Sequence, residues 1–386
     1  MDVMQHVTEY LRKRPGELKK LKEGGGRKVV AYLAGDYVPA ELIYAAGAVP
    51  VGLIHGGDPE PVEAAHRAIL RYLCPFARAQ FGYWVLKEQK YYELFDLLVA
   101  PISCQHLRRV ADLYSVYTEL PVFRLGVPQP YDGEHGVNYF KESLVLLKQR
   151  LEGLTGNEVT DKKLNEAIGL YNRIRGLLRE ISELRKSPRP PITTRDFIRL
   201  NHAAHLAAPE FVVEMLEGLY RELSQQEGPE SQAPRLLISG PNIAMGDYKV
   251  LDVIEESGGR IVAEDIAEGV LFYWENVAVD GDPLGALATR HIGKRPNCAF
   301  IRPSLKRHIE FIRGLARDFK VDRIVWYQLR FCETWDMESY FCAEELKKLA
   351  EPIPMLKLDS EYDISDRGQL RTRVETFVET LREGRV

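Results

Sequence analysis

The chain has little from which a secreted scaffold or a membrane protein could be built. Its 386 residues hold five cysteines, an odd number spread along the whole length, which does not make a disulfide framework and leaves reduced thiols or metal ligands. No apolar run approaches the roughly 18 residues that a membrane span needs. The amino terminus MDVMQHVTEYLRKRPGELKK reads as an amphipathic charged helix without a signal-peptide core, so the expected compartment is the cytoplasm. There is no CxxC pair, no histidine cluster beside the cysteines and no GxxxxGK[ST] phosphate loop, which argues against a structural zinc site and assigns no nucleotide site here. Excess charge is missing too. Subtracting 56 acidic from 52 basic residues leaves −4, and nothing in that balance suggests nucleic acid.

What is present is the composition of an ordinary globular protein, 45 % hydrophobic and 28 % charged, with length for about two or three domains. Two strands that run straight into a cysteine organise it. FDLLVAPISC ends at Cys104 and RIVWYQLRFC at Cys332; each is followed by a helical stretch and a Pro-led strand, PVFRLGV from Pro121 and PMLKLD from Pro354. This is half of a βαβ unit with its thiol at the carboxyl end of the strand, the edge where parallel sheets meet ligands beside helix amino ends. Amide dipoles there are expected to stabilise a thiolate and lower its pKa.

A second pair of segments matches in type and order. KVVAYLA, VPAELIYAAG and AVPVGL read strand, helix, strand, with Gly47 closing the helix as a C′ residue; RLLISG, DYKVLDVIEESGG and RIVAED repeat the order from Arg235. The predicted fold class is therefore α/β: two Rossmann-like or flavodoxin-like parallel-sheet domains from an internal duplication, each of about four strands with helices on both faces, plus inserted helices. The divisions expected are an N-terminal helix and first α/β domain over 1–135, a helical insert over 136–222, a linker over 223–234 and a second α/β domain over 235–386. In the insert, Phe140, Leu144, Leu147 and Leu151, then Leu164, Ile168, Tyr171, Leu178 and Ile181, recur at helical spacing until KSPRPPITT breaks the pattern. The linker SQQEGPESQAPR is polar and rich in turn formers. Leu370, Val374, Phe377, Val378 and Leu381 place a closing amphipathic helix on the second sheet, and the glycines at 24–26 read as a flexible lead into the first strand.

Taken singly, the cysteines divide. Cys74 precedes Pro75, which suits the first turn of a helix; a Cys-Pro pair also occurs beside iron–sulfur ligands, and the alternative is a small core thiol. Cys104 and Cys332 hold equivalent positions in the two repeats, and together with Cys74 they favour ligation. Cys342 lies in line with Leu346 and Leu349, and Cys298 in NCAFI sits among strand formers, so both read as core residues. Three thiolates fit closed tetrahedral zinc poorly, whereas a [4Fe-4S] cluster on three cysteines leaves one iron open. Ser239, Gly240, Glu264 and Asp265 stand at strand ends where a ligand is met or a helix is capped. Arg108 and Arg109 would meet an anionic ligand, such as CoA phosphates, or an acidic partner, or else form a solvated face.

AGDYVPAELIYAAGAVPVGL, YLCPFARAQ, LLVAPISCQHLRR with PVFRLGVP, LLISGPNIAMGDYKVLDVIEESGGRIVAED, and VDRIVWYQLRFCETWDMES with IPMLKLDSEYD stand in one order from about residue 28 to the end. In that order they resemble the 2-hydroxyacyl-CoA dehydratase D-component family, which includes the two cluster-bearing subunits of ATP-dependent benzoyl-CoA reductase; the smaller of these two, the gamma subunit, is the more similar. The resemblance implies a [4Fe-4S] cluster on Cys74, Cys104 and Cys332 and no assignable catalytic side chain. It implies a heterodimer with a related cluster-bearing subunit, served by a separate ATP-hydrolysing activator with ferredoxin as donor. The expected activity is reductive dearomatisation of an aromatic acyl-CoA, benzoyl-CoA, by single-electron steps; the alternative is a 2-hydroxyacyl-CoA dehydratase subunit working through the same kind of ketyl radical anion. From a different class, two α/β lobes alone also permit a small-ligand or metal-binding protein.

Overall fold

The computed structural model describes all residues except 1–2, 70, 88–89, 129–132, 297–300 and 384–386, and the side chains of 301–303 and 381–383. Short β-branched runs punctuated by glycine become strands, the first three of each sheet in chain order buried on both faces and the last of each partly exposed. A long helix, α1 (Val3–Gly25), leads into β1 (Val29–Leu33), α2 (Ala40–Ala45), β2 (Val49–Leu53), α3 (Pro59–Ala64), α4 (Pro75–Leu86), β3 (Leu97–Ile102), α5 (Gln105–Tyr117) and β4 (Val122–Gly126). Four helices follow: α6 (Glu134–Thr155), α7 (Asp161–Leu184), α8 (Thr194–Leu206) and α9 (Pro209–Leu223). The second unit comprises β5 (Arg235–Ser239), α10 (Lys249–Glu256), β6 (Arg260–Asp265), α11 (Val270–Tyr273), α12 (Pro283–Ala288), α13 (Ile301–Asp318), β7 (Arg323–Leu329), α14 (Glu333–Lys347), β8 (Met355–Ser360) and α15 (Arg367–Glu383).

The strands form two four-stranded sheets, ordered β2-β1-β3-β4 and β6-β5-β7-β8, with every pairing parallel. The shared order bears out two parallel-sheet units of one plan, and the match extends to the chain reversals. In the first unit Gly47, at φ +77°, donates its amide to the Tyr44 carbonyl while Ala48 reaches Ile43. In the second, Gly258, at φ +82°, reaches Glu255 while Gly259 reaches Ile254. Both are Schellman ends, in which the left-handed residue turns the chain into the next strand. The glycines at 24–26 are not the flexible lead expected of them: Gly24 and Gly25 finish α1, and Gly26, at φ +62°, ends it in the left-handed region. Tertiary anchoring overrides the poor helix propensity of glycine, since Leu18 is buried and the Lys22 ammonium holds the Leu94 carbonyl at 2.7 Å.

The inserted helices do not stand apart from the sheets. Phe140, Leu144, Leu147 and Leu151 of α6, with Leu164, Ile168, Tyr171, Leu178 and Ile181 of α7, share one core with Val30, Tyr32, Leu97 and Val99 of the first sheet and with Val270 to Tyr273 of α11. Thr160 and Thr193 start α7 and α8 by accepting the amides of Lys163 and Asp196. The 224–234 segment is tied down where the Gly228 amide meets the Arg189 carbonyl at 3.0 Å and the Arg189 guanidinium returns to the Gly228 carbonyl at 2.9 Å. At the carboxyl end, α15 buries Leu370, Val374 and Val378. Among the described residues no helix is long and apolar enough to cross a membrane.

The two units are stitched where their loops cross. The Met245 amide donates to the Ile54 carbonyl at 2.8 Å and the Gly56 amide to the Met245 carbonyl at 3.0 Å. A Cβ on Gly57 would stand 2.4 Å from the backbone of Gly246, and one on Gly246 would stand 2.3 Å from the Gly56 carbonyl. Only glycine permits so close an approach.

Candidate functional site

Parallel strands present their carboxyl ends, and the amino ends of the helices that follow, along one edge. Here the edges of both sheets face a common cavity of about 100 Å³. The first unit contributes Gly35 and Tyr37 after β1, Cys74 and Phe76 at the start of α4, and Ser103, Cys104 and Leu107 after β3; the second contributes Pro241 and Asn242 after β5, Ala267 and Glu268 after β6, and Cys332, Thr334 and Trp335 after β7, with Arg295 beside them. Each of the three predicted cysteines stands at a helix N-cap position, Cys74 before α4, Cys104 before α5 and Cys332 before α14. The Cys104 sulfur accepts the Leu107 amide at 3.4 Å. The Cys74 amide meets His106 Nδ1 at 3.3 Å, tying the first two cysteine segments together. Cys332 follows Phe331, a non-glycine residue at φ +66°, whose ring meets Tyr72 edge-on at 5.7 Å.

The expectation of lowered thiol pKa values fails. Burial pushes Cys74 up to about 12, with Cys104 adding to the rise, against the amides of Ala77 and Phe76 and the Arg78 charge. Burial likewise raises Cys104 against the amides of Leu107 and His106, and raises Cys332 well above the ordinary value with Cys74 and Cys104 contributing. The helix ends do favour the thiolates, but desolvation, with neighbouring thiols adding to it at Cys74 and Cys332, outweighs them. Among the described residues no three His, Cys, Asp or Glu side chains converge on a single-ion position; the three sulfurs face a shared cavity instead.

Residues 36–381 match the family described as 2-hydroxyglutaryl-CoA dehydratase, D-component. The chain belongs to this family. Similar relatives include YjiM of Escherichia coli (strain K12), which carries a dehydratase-subunit name, at 28% identity over 94% of this chain and 93% of its own. A benzoyl-CoA reductase subunit of Thauera aromatica is also 28% identical, over 92% and 91%. The beta subunit of (R)-2-hydroxyglutaryl-CoA dehydratase from Acidaminococcus fermentans is 25% identical over 92% and 93%.

In this D-component chain the other strand-end residues singled out from sequence lie behind the cavity rather than in it. Ser239 donates to Asp265 Oδ2 at 2.7 Å, and His308 bridges Asp265 at 2.7 Å and Glu338 of α14 at 2.6 Å. Burial alone would lower the His308 pKa, but the carboxylates of Asp265 and Glu338 together raise it to about 10. Glu264 pairs with Arg185 at 2.5 Å and accepts the Tyr273 hydroxyl at 2.6 Å. A Cβ on Gly240 would stand 2.2 Å from the Tyr327 carbonyl, so this glycine serves close packing. Arg108 and Arg109 are exposed, Arg109 pairing with Asp112 at 3.3 Å. Cys342 is fully buried beside Leu346, and Cys298 lies outside the described residues.

Sequence reasoning missed the polar residues that do line the cavity. Asn242 and Glu268 each stand three positions past the last strand residue, beyond Ser239 and Asp265 respectively. The signal was available in the two equivalent loops, GPN and IAE, read one turn further from the strand. Asp36, another omission, adopts φ +54° and is gripped by Arg290 at 2.8 and 3.0 Å, with its carbonyl held by Arg295 at 2.8 Å. Arg290 is set on a π-turn, Thr289–Gly293, at the end of α12, a local irregularity that re-aims side chains. This clamp fixes the β1 loop and, through Arg295 stacked 4.1 Å from the Tyr37 ring, one wall of the cavity.

Proposed function

We propose that this chain is a cytoplasmic iron–sulfur subunit of an ATP-dependent enzyme that drives single electrons into an acyl-CoA thioester. The observation that carries it is the meeting of Cys74, Cys104 and Cys332, drawn from both units, on one small cavity. A soft donor set of three thiols, spread about a cavity rather than a point, suits a [4Fe-4S] cluster better than a single ion. Bound there, the cluster would accept and pass on single low-potential electrons. The protein's part would be to hold it: the three thiolates would bind, the Leu107 amide donates to the Cys104 sulfur, and Phe76, Leu107 and Trp335 would exclude water. Cys104 is fixed by the Leu107 amide of α5, Cys74 by its own amide donating to His106 of α5, and Cys332 by its place before α14, whose Glu338 is anchored through His308.

The partners in this reading are a related cluster-bearing subunit, an ATP-hydrolysing activator that docks on the pair, and ferredoxin upstream of it. The family description and the names of the relatives support dehydration of a 2-hydroxyacyl-CoA, in which the thioester carbonyl delocalises an added electron and a hydroxyl is expelled. Reductive dearomatisation of benzoyl-CoA is the second reading, supported by equal identity to the benzoyl-CoA reductase relative. Both begin with one electron on the thioester. The anaerobically purified chain is expected to carry iron and acid-labile sulfide in equal amounts, and fewer than about three irons per chain would sink the cluster reading in favour of a two-lobed binding protein. With partner and activator added, turnover of a 2-hydroxyacyl-CoA alone selects dehydration; turnover of benzoyl-CoA alone selects reduction.

A further inference from the structure

The cavity holds two buried polar atoms without a partner. Glu268 is 1 % exposed and Asn242 6 %; Glu268 Oε2 and Asn242 Nδ2 make no hydrogen bond, although both residues line the space that the three thiols line. Leaving a buried polar group unused costs about 1–3 kcal/mol, and two such groups converging from equivalent strand ends of one sheet indicate something between them that uses both. The available volume narrows what that is. About 100 Å³ is room for an inorganic group but well short of the roughly 300–1,000 Å³ of pockets that enclose organic ligands. An acyl-CoA therefore does not fit beside an inorganic cluster here.

We infer that Glu268 supplies the fourth, oxygen ligand of the cluster, on the iron that the three cysteines leave open, with the Asn242 amide hydrogen-bonded to the ligating carboxylate. This rests on the cluster reading above and deepens it: the cluster of this chain is closed to substrate, so it relays electrons and the acyl-CoA is met on the partner subunit. The donor chemistry fits, since a carboxylate is a competent iron ligand and an amide donor orients it as outer-shell partners orient metal ligands generally. The Gly35 amide, which also meets the Glu268 carboxyl, ties that ligand to the loop clamped by Arg290 and Arg295.

The test uses the full chain, purified anaerobically with its cluster, and reads the metal rather than turnover. Mössbauer spectra of the wild type are expected to show one iron in about four with oxygen-type parameters. Glu268→Gln, isosteric and uncharged, should move or abolish that subsite and release about one iron in four, as a [3Fe-4S] species visible by electron paramagnetic resonance. Glu268→Cys should restore four irons with an all-sulfur signature, and Asn242→Ala should shift the subsite without losing it. A wild-type cluster whose spectra and iron content are indifferent to both Glu268 substitutions overturns this inference and leaves the proposed function standing. A wild-type chain without a cluster overturns the proposed function, and this inference with it. Unchanged far-ultraviolet dichroism in the Gln variant separates ligand loss from misfolding.

Discussion

The two units share a strand order and differ in what they set at its carboxyl edge. The first supplies two of the three cavity thiols, Cys74 and Cys104, on consecutive helices linked by the Cys74 amide and His106. The second supplies one, Cys332, and places behind it a buried charged triad in which His308 joins Asp265 of β6 to Glu338 of α14. A lone thiol has no neighbouring cysteine helix to steady it. The triad ties the helix that begins after Cys332 to β6 through His308 of α13. Topology thus brings the edges together, and the side chains placed there differ between the units.

The comparison is broken most forcibly at the thiols. Replacing Cys74, Cys104 or Cys332 by Ser exchanges a soft, acidic ligand for a hard, weakly acidic one. Each variant should lose the cluster or retain a lower-iron form, with activity of the assembled enzyme abolished, as iron and sulfide analysis would show. Equal loss from both units supports one shared centre. If Cys332→Ser kept full iron while Cys104→Ser lost it, Cys332 would not be a ligand.

Removing the brace tests the second unit alone. His308→Leu leaves the Asp265 and Glu338 carboxylates buried without their cation, so unfolding should become easier by about 3–5 kcal/mol in denaturant titrations. A loss under about 1 kcal/mol would show that the triad does not brace the fold.

The histidines of the two units should also respond to opposite ends of the pH scale. The folded pKa of His308 is raised to about 10 from 6.5, so its contribution is fully present below pH 6.5 and is lost as pH rises through about 10. His55, after β2, is lowered to about 3 by burial and the neighbouring His202; its contribution is present above pH 6.5 and is lost as pH falls from there towards 3. Stability measured against pH should fall on both sides of neutrality. The alkaline limb should flatten in the His308→Leu variant while the acid limb remains; an unchanged alkaline limb would count against the triad.

The smallest effect is expected at Cys342, a thiol of the second unit that faces the core. Cys342→Ala removes one buried sulfur, at a cost of about 1–2 kcal/mol by analogy with small core truncations, and iron content should not change. Loss of the cluster in this variant would show that the ligand role assigned to Cys332 belongs to Cys342.

Much of this was legible in the chain itself. Strand, helix and strand, repeated with a thiol at the strand end, determined two parallel four-stranded sheets, because periodicity, β-branched runs and glycine stops such as Gly47 and Gly258 act over a few residues. The helix-capping positions of Cys74, Cys104 and Cys332 were determined in the same local way. Only the tertiary structure decided that Ser239, Glu264 and Asp265 turn into buried ionic networks while Asn242 and Glu268, three residues further on, line the cavity. Their partners Arg185 and His308 arrive from helices outside the strand–loop segments, and no local pattern encodes the meeting. The direction of the thiol shifts was decided there as well: a helix amino end is a local feature that favours the thiolate, but burial sums over everything both units bring against it, and that sum is larger.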